Sequence, residues 1–65
     1  MKKAITNGMR FYDEANGRYL TTNGVGCDPK VWSCDVEELG DSGEFELVDT
    51  CALFRESELR KFKEV

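Results

Sequence analysis

Histidine is absent from this chain, and proline occurs once, at position 29. Without an imidazole, the side chain that most often carries protons near neutral pH is missing. A cysteine nucleophile would then have only Lys30 or a helix terminus to lower its pKa. Cysteine is scarce as well. Cys27, Cys34 and Cys51 show no C-x-x-C spacing, and a three-thiolate metal site would have to borrow a carboxylate such as Asp28 or Asp49. An odd number of cysteines cannot all pair within one chain, so a disulfide framework is disfavoured and reduced thiols in a cytoplasmic setting are the simpler account. No apolar run reaches the length of a membrane span. Lys2 and Lys3 are not followed by a hydrophobic segment, which argues against a secretory signal. The stretch DSGEFELVD holds acids but lacks the spacing and closing glutamate of a calcium loop. These gaps point away from an enzyme, a cofactor and a metal.

A further absence is local. Residues 35–49 contain no Lys or Arg, yet they hold Asp35, Glu37, Glu38, Asp41, Glu44, Glu46 and Asp49. The formal net charge of -4 is therefore concentrated in one stretch flanked by slightly basic segments. Phosphate would be repelled there, which disfavours direct nucleic-acid binding and favours a protein partner with a basic surface. Glu37, Glu46 and Asp35 could approach one another as an acid/base group, but 65 residues leave little volume for both a substrate cleft and a core. The plain alternative is a solvated charged face.

What remains is enough for one small domain over residues 1–65. Ile5, Met9 and Phe11 form a first apolar set, interrupted by Asn7-Gly8, which reads as a turn or bulge. Met9 to Asp13 and Arg18 to Thr22 read as a hairpin around Asn16-Gly17, two residues that tolerate positive φ. With Phe11 and Tyr19 facing inward, Tyr12 and Leu20 fall on the outer face as a small apolar patch. Asn23 to Lys30 carries the turn chemistry of a loop. Val31 to Glu38 alternates, with Trp32, Cys34 and Val36 on one face and Ser33, Asp35 and Glu37 on the other. After a turn at Gly40 to Gly43, Phe45 and Leu47 are expected inward, with Glu44, Glu46 and Val48 outward. Two registers are open. A four-residue loop sets Glu37 opposite Glu46; a two-residue turn at Ser42-Gly43 sets Asp41 opposite Glu44 and Cys34 opposite Cys51. Like-charge repulsion across strands mildly favours the second. Cys51 to Arg55 then reads as a strand, and Glu56 to Glu64 as a helix capped by Ser57, with Leu59 and Phe62 on one face. A single helix from Thr50 to Glu64 would put Arg55 and Glu58 in its apolar stripe.

The expected architecture is mainly β, with α+β character at the margin. It comprises four to five short antiparallel strands, as a meander or a small barrel resembling the SH3-like kind, and a short C-terminal helix. The expected core is Met9, Phe11, Tyr19, Val31, Trp32, Cys34, Val36, Phe45, Leu47, Leu53, Leu59 and Phe62. The function this suggests is a small acidic protein-binding module or inhibitor. It would dock the carboxylates at 35, 37, 38, 41, 44, 46 and 49, with Tyr12 and Leu20 beside them, on a basic partner. In size and charge the chain is similar to small acidic accessory proteins of phages and mobile elements, some of which mimic nucleic acid. Two alternatives stand beside this. One is a subunit that dimerises or augments a sheet through an edge strand such as Arg18 to Thr22. The other is a weakly nucleic-acid-binding barrel using Arg10, Arg18, Lys30, Arg60 and Lys61.

Overall fold

A computed structural model describes residues 4–26 and 28–65. The expectation for Cys27 lies outside the described residues. The chain forms one open antiparallel sheet built from β1 (Arg10–Asp13), β2 (Arg18–Val25), β3 (Val31–Leu39), β4 (Phe45–Arg55) and β5 (Lys63–Glu64), with a single-turn helix α1 (Glu56–Leu59) before the last strand. The sheet order is β4-β3-β2-β1-β5. The mainly-β expectation and the meander therefore hold. The barrel does not close, because β4 and β5 stand at opposite edges. No helix among the described residues is long and apolar enough to cross a membrane.

Each hairpin is set by its turn. Between β1 and β2 the Asp13 carboxylate accepts the backbone N–H of Asn16 and the Asn16 side-chain amide, while Gly17 takes a left-handed φ of 62°. The connection is therefore four residues long, and Asp13 lies opposite Arg18. A connection of even length sets β1 and β2 residues of opposite parity side by side. Phe11 thus shares its face with Leu20, and Tyr12 with Tyr19. The expected pairing of Phe11 with Tyr19 would have needed an odd turn. Leu20 is 0% exposed and belongs to the core, not to an outer patch. The second strand also runs past Thr22 to Val25 through a bulge between Thr22 and Gly24, so part of the expected 23–30 loop is strand.

The buried core is Ile5, Phe11, Leu20, Cys34, Val36 and Leu59, with Met9, Trp32, Ala52, Phe54 and Phe62 packed against it. Trp32, Cys34 and Val36 face inward as their alternation requires. Tyr19, Phe45, Leu47 and Leu53 do not. Tyr19 lies on the outer face, and the other three are exposed. Half-buried Val31 shares the alternation of Ser33, on that same outer side. Asn7-Gly8 is a turn, Gly8 has a φ of 82°, and its N–H donates to the Thr22 carbonyl. That contact brings Ile5 under the sheet.

The helix expected over 56–64 ends at Leu59. The cap is Arg55 instead of the expected Ser57, which lies inside the helix; the Arg55 N–H donates to Glu58 Oε1, and the Lys30 carbonyl takes the Glu56 N–H. Leu59 is fully buried, so the chain turns tightly beneath the sheet: Lys61 donates to Glu58 and Phe62 to Leu59 in i→i−3 bonds. Lys63 and Glu64 then return as a two-residue strand on β1. Phe54 and Phe62 meet edge to face at 6.1 Å, closing the core below the Arg18 guanidinium, which lies 5.5 Å from the Phe54 ring centre.

Candidate functional site

The β3–β4 hairpin holds most of the residues that composition singled out, and its turn decides where they point. Gly40 donates to the Glu44 carbonyl, Gly43 donates back to Gly40 with a φ of 85°, and the Ser42 hydroxyl accepts the Glu44 N–H. Leu39 lies opposite Phe45, leaving residues 40–44 as the connection. That odd length reverses the expected parity. Leu47 stands opposite Glu37 on the outer face, and Glu46 stands opposite Glu38 on the side of the core. Neither expected register is adopted at the turn. Like-charge avoidance does not set the register either, since two glutamates end up as direct neighbours.

Further along, β4 carries two irregularities. Val36 faces Asp49, Glu37 faces Leu47, and Cys34 faces Ala52 instead of Cys51. The strand thus contains residues that oppose nothing on β3, at Val48 and around Thr50-Cys51. Side chains close these bulges. Asn23 Nδ2 donates to Asp35 Oδ1 at 2.7 Å and to the Thr50 carbonyl at 2.8 Å, and Asp49 Oδ1 accepts the Cys51 N–H at 2.9 Å. Cys34 and Cys51 are both free thiols. Burial, with Asp35 next in importance, pushes the Cys34 thiol up to about 11, so it is protonated and unreactive at neutral pH.

The seven acids consequently do not share one face. Asp35 and Glu37 lie on the outer face. Asp41 and Glu44 sit in the turn. Glu38, Glu46 and Asp49 occupy positions in register with the core side. Glu37 is already engaged by Arg10, with Nη1 2.9 Å from Oε1, and Asp35 by Asn23. Asp41, Glu44 and Glu46 make no ion pair among the described residues. No group of three acids or thiols among the described residues is placed to hold a metal.

What the outer face does carry is apolar. Tyr12 and Tyr19 pack with ring centres 4.8 Å apart, and Tyr19 meets Phe45 edge to face at 4.9 Å. The Arg10 guanidinium lies 4.3 Å above the Tyr19 ring. On the same face Leu39, Leu47 and Phe45 are 60%, 57% and 40% exposed, and Leu53, opposite Ser33 at the far end of the hairpin, is exposed as well. Singly, such residues need no explanation; Leu39, Phe45 and Leu47 beside the two tyrosines form a patch of the kind that marks an interaction surface. Of the residues proposed from sequence, Tyr12 belongs to it and Leu20 does not. Tyr19, Leu39, Phe45 and Leu47 went unrecognised as surface residues, because alternation alone does not fix which face is wet. Comparison with protein-family models, with curated proteins and with solved structures finds no match for this chain.

Proposed function

We propose that this protein is a small binding module that docks the outer face of its β3–β4 hairpin on a protein partner with a basic surface. The observation that carries this reading is the exposed row of Leu39, Phe45 and Leu47 beside Tyr12 and Tyr19, with Asp41 and Glu44 in the adjoining turn. An apolar centre with a charged rim is the usual anatomy of a protein interface. The carboxylates steer and select the partner, while the apolar row supplies the buried area. This narrows the role given to the acids from sequence. With Glu37 and Glu46 on opposite faces, a continuous strip of carboxylates standing in for phosphates has less support than a mixed apolar and acidic surface. Edge pairing is also less favoured. The expected edge strand, Arg18 to Thr22, lies inside the sheet between β1 and β3, and the long open edge, β4, is bulged in its middle, which blunts it as a template for another strand.

The test is affinity capture with the full chain and two variants, Leu47→Ser and Glu44→Lys, at ionic strengths about a Debye-length regime apart, roughly 0.05 M and 0.5 M. A partner retained by the wild type, lost with either variant and released by salt is the expected result. A partner that ignores Leu47→Ser overturns the assignment to this face.

A further inference from the structure

We infer that the outer face also receives a second copy of this chain, the turn end of each β3–β4 hairpin entering a groove at the β5 edge of the other. This goes beyond docking on a basic partner, since it gives the same face a use between copies. The groove holds about 590 Å³ and lies where β1 and β5 part. Tyr12 and Phe62 supply its apolar wall, with Lys61 and Lys63 beside them. Neither lysine makes an ion pair among the described residues. Of the acids lining it, Asp13 is held by Arg18 and Asn16, so Glu14 alone faces two ammonium groups and the groove is net positive. At the opposite edge of the sheet the hairpin stands clear of the core, and β4 is exposed from Phe45 to Cys51. Its turn carries Asp41 and Glu44 without an ion pair among the described residues, and Leu39 and Phe45 face outward next to it.

Register makes the two ends meet. Lys63 lies opposite Tyr12, Tyr12 opposite Tyr19, Tyr19 opposite Glu37 and Glu37 opposite Leu47, one line across the sheet. From that line Lys61 and the 40–44 turn both lie toward the same end of the molecule, at its two edges. A two-fold axis parallel to the strands, in the plane between two outer faces, exchanges the β4 and β5 edges and keeps the ends together. Each acidic turn then meets the lysines of the other copy, and the two contacts are equivalent. Glu38, Glu46 and Asp49 are in register with the core side and stay in water. An axis across the strands would set β4 over β4 and leave the lysines unmatched. The net charge of -4 on each copy still opposes the meeting, so the paired charges set its arrangement and the apolar row its strength.

The experiment mixes isotope-labelled and unlabelled full chains at millimolar concentration and roughly 0.15 M salt, where repulsion is screened beyond about 8 Å but touching charges are not. Isotope-filtered NOEs are expected from Phe62 and Lys63 of one copy to Phe45 of the other. Glu44→Lys removes one negative charge and adds a positive one, so by net charge alone it should favour association. At this contact it should instead weaken self-affinity about fivefold, the scale of two exposed ion pairs. Lys63→Glu should weaken it likewise. An equimolar mixture of the two variants should pair as tightly as the wild type, because one of its contacts is native and the other has its charges exchanged. That rescue also shows that both variants fold. Contacts from Leu47 to Leu47 with none to Lys63, tighter association of Glu44→Lys, an unrescued mixture, or no contact between copies overturns the inference. Each of these leaves docking on a protein partner standing, which falls only if capture ignores Leu47→Ser.

Discussion

The Thr22 hydroxyl joins three pieces of the molecule. It accepts the Met9 N–H at 3.0 Å and donates to the Thr6 carbonyl at 2.6 Å, and the residue is buried. Thr22→Val keeps the shape and removes the oxygen, stranding a donor and an acceptor. A loss of about 1–3 kcal/mol is expected in denaturant unfolding, with the N-terminal segment released first. Asp13 is the second buried polar group. Burial alone would raise its pKa, but the Asn16 amide, the Arg18 guanidinium and the Asn16 N–H outweigh that and hold the carboxyl below its ordinary value of 3.8. A carboxyl depressed in the folded state stabilises above its unfolded value and loses that contribution as pH falls through the folded one. Stability should therefore drop below about pH 3.8, and Asp13→Asn should flatten that part of the profile while lowering stability at neutral pH. An unchanged acid limb would assign the effect to other carboxylates.

At the scale of elements, parity was the hidden variable. Strand positions were legible because Val31 to Glu38 alternates cleanly and because Asn7-Gly8, Asn16-Gly17 and Asp28-Pro29 mark turns by their backbone preferences. Facing was not, because one residue more or less in a turn exchanges the two sides of the following strand. The four residues before Arg18 put Leu20 inside, and the five before Phe45 put Leu47 outside. No residue type announces those lengths. The bulge of β4 at Thr50-Cys51 was equally silent, since Asn23 reaches across from β2 to the Thr50 carbonyl there. That tie makes a prediction specific to the element. Asn23→Ala removes bonds to Asp35 and Thr50 and should cost about 1 kcal/mol. Its mark beyond lost stability is faster hydrogen exchange at Cys51 and Ala52 with little change at Leu20. Uniform acceleration would mean the bulge is not held by this side chain.

For the molecule as a whole, two surface properties oppose each other. The outer face leaves Leu39, Phe45, Leu47 and Leu53 in water, an arrangement that favours association. The net charge of -4 on 65 residues keeps copies apart. Repulsion between exposed charges is screened over about 10 Å at 0.1 M salt and over about 3 Å at 1 M, whereas apolar contact is not weakened by salt. Self-association should therefore rise with ionic strength, the reverse of docking on a basic partner, which salt weakens. Sedimentation velocity across a salt series should give a monomer at low salt and larger species at high salt. Leu47→Asp, which adds charge at the centre of the patch at a cost within about 0.5 kcal/mol expected of an exposed site, should keep the chain monomeric throughout. Association that falls with salt, or that ignores Leu47→Asp, would place the self-contact elsewhere and return the open edge of β4 to consideration.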